Sequence, residues 1–71
     1  MNQRTDDEIV RYIQREFAIG RMQDKLAEYP LGETSRQLGV STVTFWRWRT
    51  DASWPERQNC LKIADFLGIR P

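Results

Sequence analysis

Between two stretches long enough for short helices stands a three-residue link, Gly39-Val40-Ser41, which constrains this chain more than any other feature. Glycine reaches a left-handed backbone conformation that a side chain resists, so Gly39 is placed to stop one helix sharply. Ser41 is a good N-cap for the next helix, which the pattern predicts from Thr42 to Thr50. Helices joined by so short a link must cross steeply, and Leu38, Val40, Phe45 and Trp48 are spaced to lock them together. The small side chain of Ser35 lets them approach closely. Thr42, Val43, Trp46, Arg47 and Thr50 then turn outward, on a face that is short, convex and basic at one point. A reader of the DNA major groove needs such a face.

The flanking segments also read as helices. Thr5-Asp6-Asp7-Glu8 has the spacing of a capping box, and acids in a first turn suit the helix dipole. Ile9, Tyr12, Ile13 and Phe17 then recur on one predicted helical face. Gly20 ends this helix near Ile19, and a second pattern, Met22, Leu26 and Tyr29, runs on to Pro30, so residues 5–29 read as two helices. After the central pair, Asp51-Ala52-Ser53-Trp54-Pro55 is a loop. Pro55 suits the first turn of a last helix over 55–68, with Ser53 as its cap. Leu61, Ala64 and Leu67 define the side of that helix expected to be buried, within an apolar stripe that also holds Cys60 and Ile63. Gly68 followed by Ile69 fits a Schellman stop. No strand of useful length is visible, and the expectation is one all-α domain of four or five helices over residues 1–71.

At 71 residues the chain is too short for a deep cavity with a lid, a Rossmann unit with a partner domain, or a barrel. It contains no His and a single Cys, Cys60, which excludes an imidazole base, an internal disulfide and a Cys-rich zinc site. The four Gly stand apart and form no phosphate-cradling loop. The reading is therefore not an enzyme, with no metal and no small-molecule cofactor. No apolar run approaches the roughly 18 residues of a spanning helix, and the N-terminal residues do not resemble a signal peptide. The expected address is cytoplasmic, on the nucleoid when bound to DNA.

Net charge is only +1, but its distribution is uneven. Residues 1–33 hold five basic and seven acidic side chains, whereas residues 34–50 hold Arg36, Arg47 and Arg49 and no acid. Nine of the eleven basic residues are Arg, whose planar fork suits phosphates and base edges. A local positive stripe on a near-neutral domain points toward nucleic acid.

The run Thr34-Ser35-Arg36-Gln37-Leu38-Gly39-Val40-Ser41-Thr42-Val43-Thr44-Phe45-Trp46-Arg47-Trp48 resembles the helix-turn-helix of the lambda-repressor and Cro family. That family places a small residue four before the turn glycine, here Ser35, then Val-Ser, here Val40-Ser41. Its Thr-aliphatic-x-Arg-Trp ending is matched by Thr44 to Trp48. Downstream, a Pro-containing loop and a helix ending Leu-x-Ile-Ala-x-x-Leu-Gly are matched by Pro55 and by Leu61 to Gly68. The resemblance covers Pro30 to Ile69, with departures at Thr34, where the family has Leu, and at Phe45, where it has a smaller aliphatic.

The resemblance implies a small phage- or plasmid-type repressor, binding as a homodimer because one such module buries only about 600–1,000 Å² on DNA. The DNA-binding set is Arg36, Ser41, Thr42, Val43, Thr44, Trp46, Arg47, Arg49 and Thr50. Arg47 is read as a base or phosphate contact, and Arg36 and Arg49 as backbone contacts. Trp48 is read as core, whereas Trp46 suits surface contact and packing equally. Trp54 is read as a loop anchor and Cys60 as a small buried hydrophobe. Two other readings stand beside the first. One is an excisionase-like or packaging-type DNA binder, which would follow the motif with a β-hairpin. The other is an antitoxin-like module that uses its aromatic surface on a protein.

Overall fold

A computed structural model describes residues 5–69. Within them the chain is all-helical, with α1 Asp6–Ala18, α2 Arg21–Leu26, α3 Leu31–Leu38, α4 Thr42–Arg49 and α5 Arg57–Phe66, and no strand. The first four residues, on which the reading of the N-terminus partly rests, lie outside the described range, as do Arg70 and Pro71.

Local chemistry sets most of the boundaries. The Thr5 hydroxyl accepts from the Glu8 amide at 3.2 Å, while the Glu8 carboxylate accepts from the Thr5 amide at 2.8 Å, so α1 opens on the expected capping box. Gly20 takes a left-handed conformation at φ 82° and separates α1 from α2, as its position predicts. The α3 stop is a Schellman closure: Gly39 stands at φ 72°, its amide donates to the Arg36 carbonyl, and the Val40 amide donates to Ser35. Gly68 and Ile69 close α5 the same way, on Asp65 and Ala64.

The core is one cluster built from every helix. Ile9, Val10, Ile13 and Phe17 of α1 meet Met22 and Leu26 of α2, Leu38 of α3, Phe45 and Trp48 of α4, and Cys60, Ile63 and Ala64 of α5. The packing of α1 on α5 is the most extensive, and α4 rests on α2 and α3. Ser35 is buried as expected, its hydroxyl donating to the Gly32 carbonyl at 3.0 Å. Thr34, standing where the resembled family has Leu, is buried too. Tyr29 reaches over to Phe66 edge-on, with ring centroids 5.0 Å apart, tying the end of α2 to α5. On the rim, Glu16 accepts two hydrogen bonds from the Arg21 guanidinium, which hold its carboxyl below the usual glutamate range.

Four sequence expectations are corrected. The helix read as running through Tyr29 to Pro30 ends at Leu26, because the Glu28 and Tyr29 amides tighten onto Lys25 and Leu26. Tyr12 is 37% exposed, because the docked face of α1 runs through Ile9, Ile13 and Phe17 and recruits Val10 instead. The last helix begins at Arg57, not at Pro55, and its N-cap is Glu56, not Ser53. The Ser53 amide is drawn back toward the Arg47 carbonyl at the end of α4, and Pro55 is buried ahead of the cap, where its carbonyl accepts from the Cys60 thiol. The buried side of α5 is Cys60, Ile63 and Ala64; Leu61 lies at its edge and Leu67 past its last turn, both half-buried.

Candidate nucleic-acid interface

The outward face of α4 is a consequence of what its inward face buries. Phe45 is 0% and Trp48 2% exposed, and their rings meet edge-on at 6.4 Å between centroids. These two anchors fix the rotation of a helix of only eight residues. At about 100° per residue, Val43 and Thr50 then lie at the centre of the opposite face, with Trp46 and Arg47 to either side. Thr42, Val43, Trp46, Arg47 and Thr50 are all exposed, and Val43 and Trp46 keep more than half of their surface open, at 57% and 52%.

The remaining sequence-predicted residues fall into different surroundings. Ser41 caps the helix: its hydroxyl accepts from the Thr44 amide at 3.0 Å and donates to the Thr44 hydroxyl at 2.9 Å. Thr44 is half-buried. Thr50 is exposed and donates its hydroxyl to the Trp46 carbonyl at 2.9 Å. Arg49 is half-buried, with its guanidinium 5.7 Å from the centre of the Phe45 ring, so a cation–π contact draws it to the edge of the face. Arg36, on α3, and Arg47 are exposed and make no ion pair among the described residues. Residues 34–50 carry no carboxylate to neutralise them.

Behind this face lies a node that the sequence reading passed over. Asp51 follows α4 in the left-handed region at φ 63° and closes it, the Ala52 amide donating to Arg47 at 2.8 Å. Its carboxylate accepts from the buried Gln23 amide at 3.0 Å and from the Trp54 indole at 2.7 Å. Gln23 in turn donates to the Phe17 carbonyl at 3.0 Å, so one carboxylate links the end of α4 to α1 and α2. Trp54 is half-exposed and lies beside Phe17, with 6.3 Å between ring centroids, anchoring the loop in the way its neighbour Pro55 suggested. The signal available in the sequence was Asp51 itself, since Asp tolerates a left-handed turn better than most residues.

Among the described residues no helix is long and apolar enough to cross a membrane. The chain matches no family model, no curated protein and no solved structure.

Proposed function

We propose that this chain binds double-stranded DNA in a sequence-dependent way, laying α4 in the major groove with α3 across the backbone, as a small transcriptional regulator of repressor type. One observation carries the reading. The exposed face of α4 is acid-free, bears Arg47, and is held in a fixed rotation by two buried aromatic rings. Arg47 is long enough to reach a guanine edge or a phosphate, and Arg36 is placed for phosphates. The proposed unit on DNA is a homodimer on a palindromic or repeated site.

Two other readings are weaker. An excisionase-like or packaging-type protein would carry a β-hairpin after the motif, and residues 57–66 form a helix there. An antitoxin-like protein-binding module is favoured by the exposure of Val43 and Trp46, and duplex binding separates it from the first reading.

The test begins with selection of bound sites from random duplex. Arg47→Ala and Arg36→Ala are then titrated against the selected site and a scrambled duplex. Arg47→Ala is expected to lose about 1–3 kcal/mol on the selected site and to flatten discrimination at one or two positions. Arg36→Ala is expected to weaken both duplexes alike and to lower the salt slope by about one. Equal losses on both duplexes for Arg47→Ala would overturn base reading by that residue.

A further inference from the structure

Two departures from low-energy structure coincide at the end of α4. Among the described residues Asp51 is the only non-glycine residue with a positive φ, at 63°. Among the same residues Gln23 Oε1 is the only buried side-chain oxygen or nitrogen without a hydrogen-bond partner. The two side chains are bonded to each other, Gln23 Nε2 donating to Asp51 at 3.0 Å. The amide cannot be turned over to satisfy its oxygen, because Nε2 also donates to the Phe17 carbonyl at 3.0 Å. Gln23→Leu together with Asp51→Gly would remove both costs, so stability alone does not account for the pair.

What the bridge restrains is the tilt of α4. Phe45 and Trp48 fix the rotation of the helix, but three residues separate them by only about 4.5 Å along its axis. So short a footing leaves the far end free to swing. The bridge acts beyond that footing. Asp51 follows Trp48 by three residues, and Gln23 ties it to α2 and, through Phe17, to α1. Without the bridge, α4 rests on α2 and α3. Resting on the DNA-binding reading above, we propose that Gln23 and Asp51 are positioning residues. Their bridge sets the tilt at which α4 lies in the groove, and so governs its choice of site rather than its hold on phosphates. Buried polar groups are retained in some proteins because they single out one geometry at the expense of stability.

The test is the double variant Gln23→Leu/Asp51→Gly, which removes the bridge and both of its costs. Its midpoint in urea is expected at or above that of the wild type. Its affinity for a scrambled duplex, and the salt slope there, should be unchanged, because Arg36, Arg47 and Arg49 are intact. Its preference for the selected site should fall about fivefold or more, the low end of what one well-placed base contact supplies. Asp51→Asn keeps an acceptor oxygen and tolerates the left-handed turn, so it should hold the preference within about twofold. The Trp54 indole N–H donates to the same carboxylate at 2.7 Å, and its NMR shift reports whether the acceptor stands in each variant. Undiminished preference in the double variant overturns the proposal and leaves DNA binding standing. A loss that falls equally on selected and scrambled duplexes also overturns it, as does a loss in Asp51→Asn as large as in the double variant. Should the double variant not fold, Asp51→Gly alone breaks the bridge and is read the same way. Failure of the wild type to bind any duplex overturns both readings.

Discussion

Asp51 is a residue whose backbone and side chain both serve the end of α4. A left-handed conformation costs a non-glycine residue about 1–2 kcal/mol, and Asp51 holds it at φ 63°. What keeps it there is the pair of hydrogen bonds its carboxylate accepts from Gln23 and Trp54. Asp51→Ala keeps the strained backbone and loses both acceptors, so a loss of about 1–3 kcal/mol in urea unfolding is expected. Asp51→Gly loses the same acceptors but relieves the strain, and should be the more stable of the two by about 1 kcal/mol. Equal stability in the two variants would mean that the backbone there carries no strain. Cys60 makes a second residue-scale expectation. Burial pushes its thiol up to about 11, and its hydrogen is directed at the Pro55 carbonyl. Thiolate is the reactive form, so alkylation near pH 8 should be slow in the folded protein and rapid in denaturant. Comparable rates in both states would show that the packing around α5 opens readily.

At the scale of elements, α3 and α4 depend on a backbone reversal that only Gly39 makes without strain. A β-carbon there would meet nothing closer than the Lys62 ammonium at 3.8 Å, so there is room for alanine and the obstacle is φ 72° alone. Gly39→Ala should therefore lower stability by about 1–2 kcal/mol in urea unfolding, without abolishing the fold. An unchanged midpoint would show that the link can adopt another turn. The start of α1, the break between α1 and α2, the stop of α3 and the start of α4 were legible because each carries its own chemistry: Thr5 with Glu8, Gly20, Gly39, and Ser41. The end of α2 was not, since Pro30 marks a stop that comes four residues after Leu26. The start of α5 was not legible. Ser53 and Pro55 are plausible openers for a helix, but tertiary packing assigns Ser53 to the close of α4 and Pro55 to the core. Tyr12 shows the same limit, since the face α1 buries is chosen by α5 and α2. The α4 face was readable because Phe45 and Trp48 are the bulky pair at inward spacing. Asp51 escaped notice because its partner Gln23 is 28 residues away.

For the whole molecule, electrostatics argue for one orientation of approach to a polyanion. The chain is nearly neutral, with a net charge of +1, so attraction depends on where the charges sit. Asp6, Asp7 and Glu8 crowd the first turn of α1, and Asp24 and Glu28 lie on or just after α2, while residues 34–50 carry three arginines without an acid. On the DNA-binding reading proposed above, approach is therefore expected from the α3–α4 side. Each phosphate neutralised contributes about 0.9 to the slope of log affinity against log salt. With Arg36 and Arg47 fully available and Arg49 held near Phe45, one copy should show a slope of roughly 2–3 by that rule. Two copies on half-sites one helical turn apart, roughly 34–36 Å, would each bring such a stripe to the duplex. A duplex with two half-sites should accordingly bind two copies and about double the slope. The measurement is a titration of single- and double-half-site duplexes from low to physiological salt. A flat response would overturn phosphate contact by the stripe, and equal slopes on the two duplexes would overturn the paired arrangement. The second outcome leaves single-copy binding intact, because α4 needs no second chain to present Val43, Trp46 and Arg47.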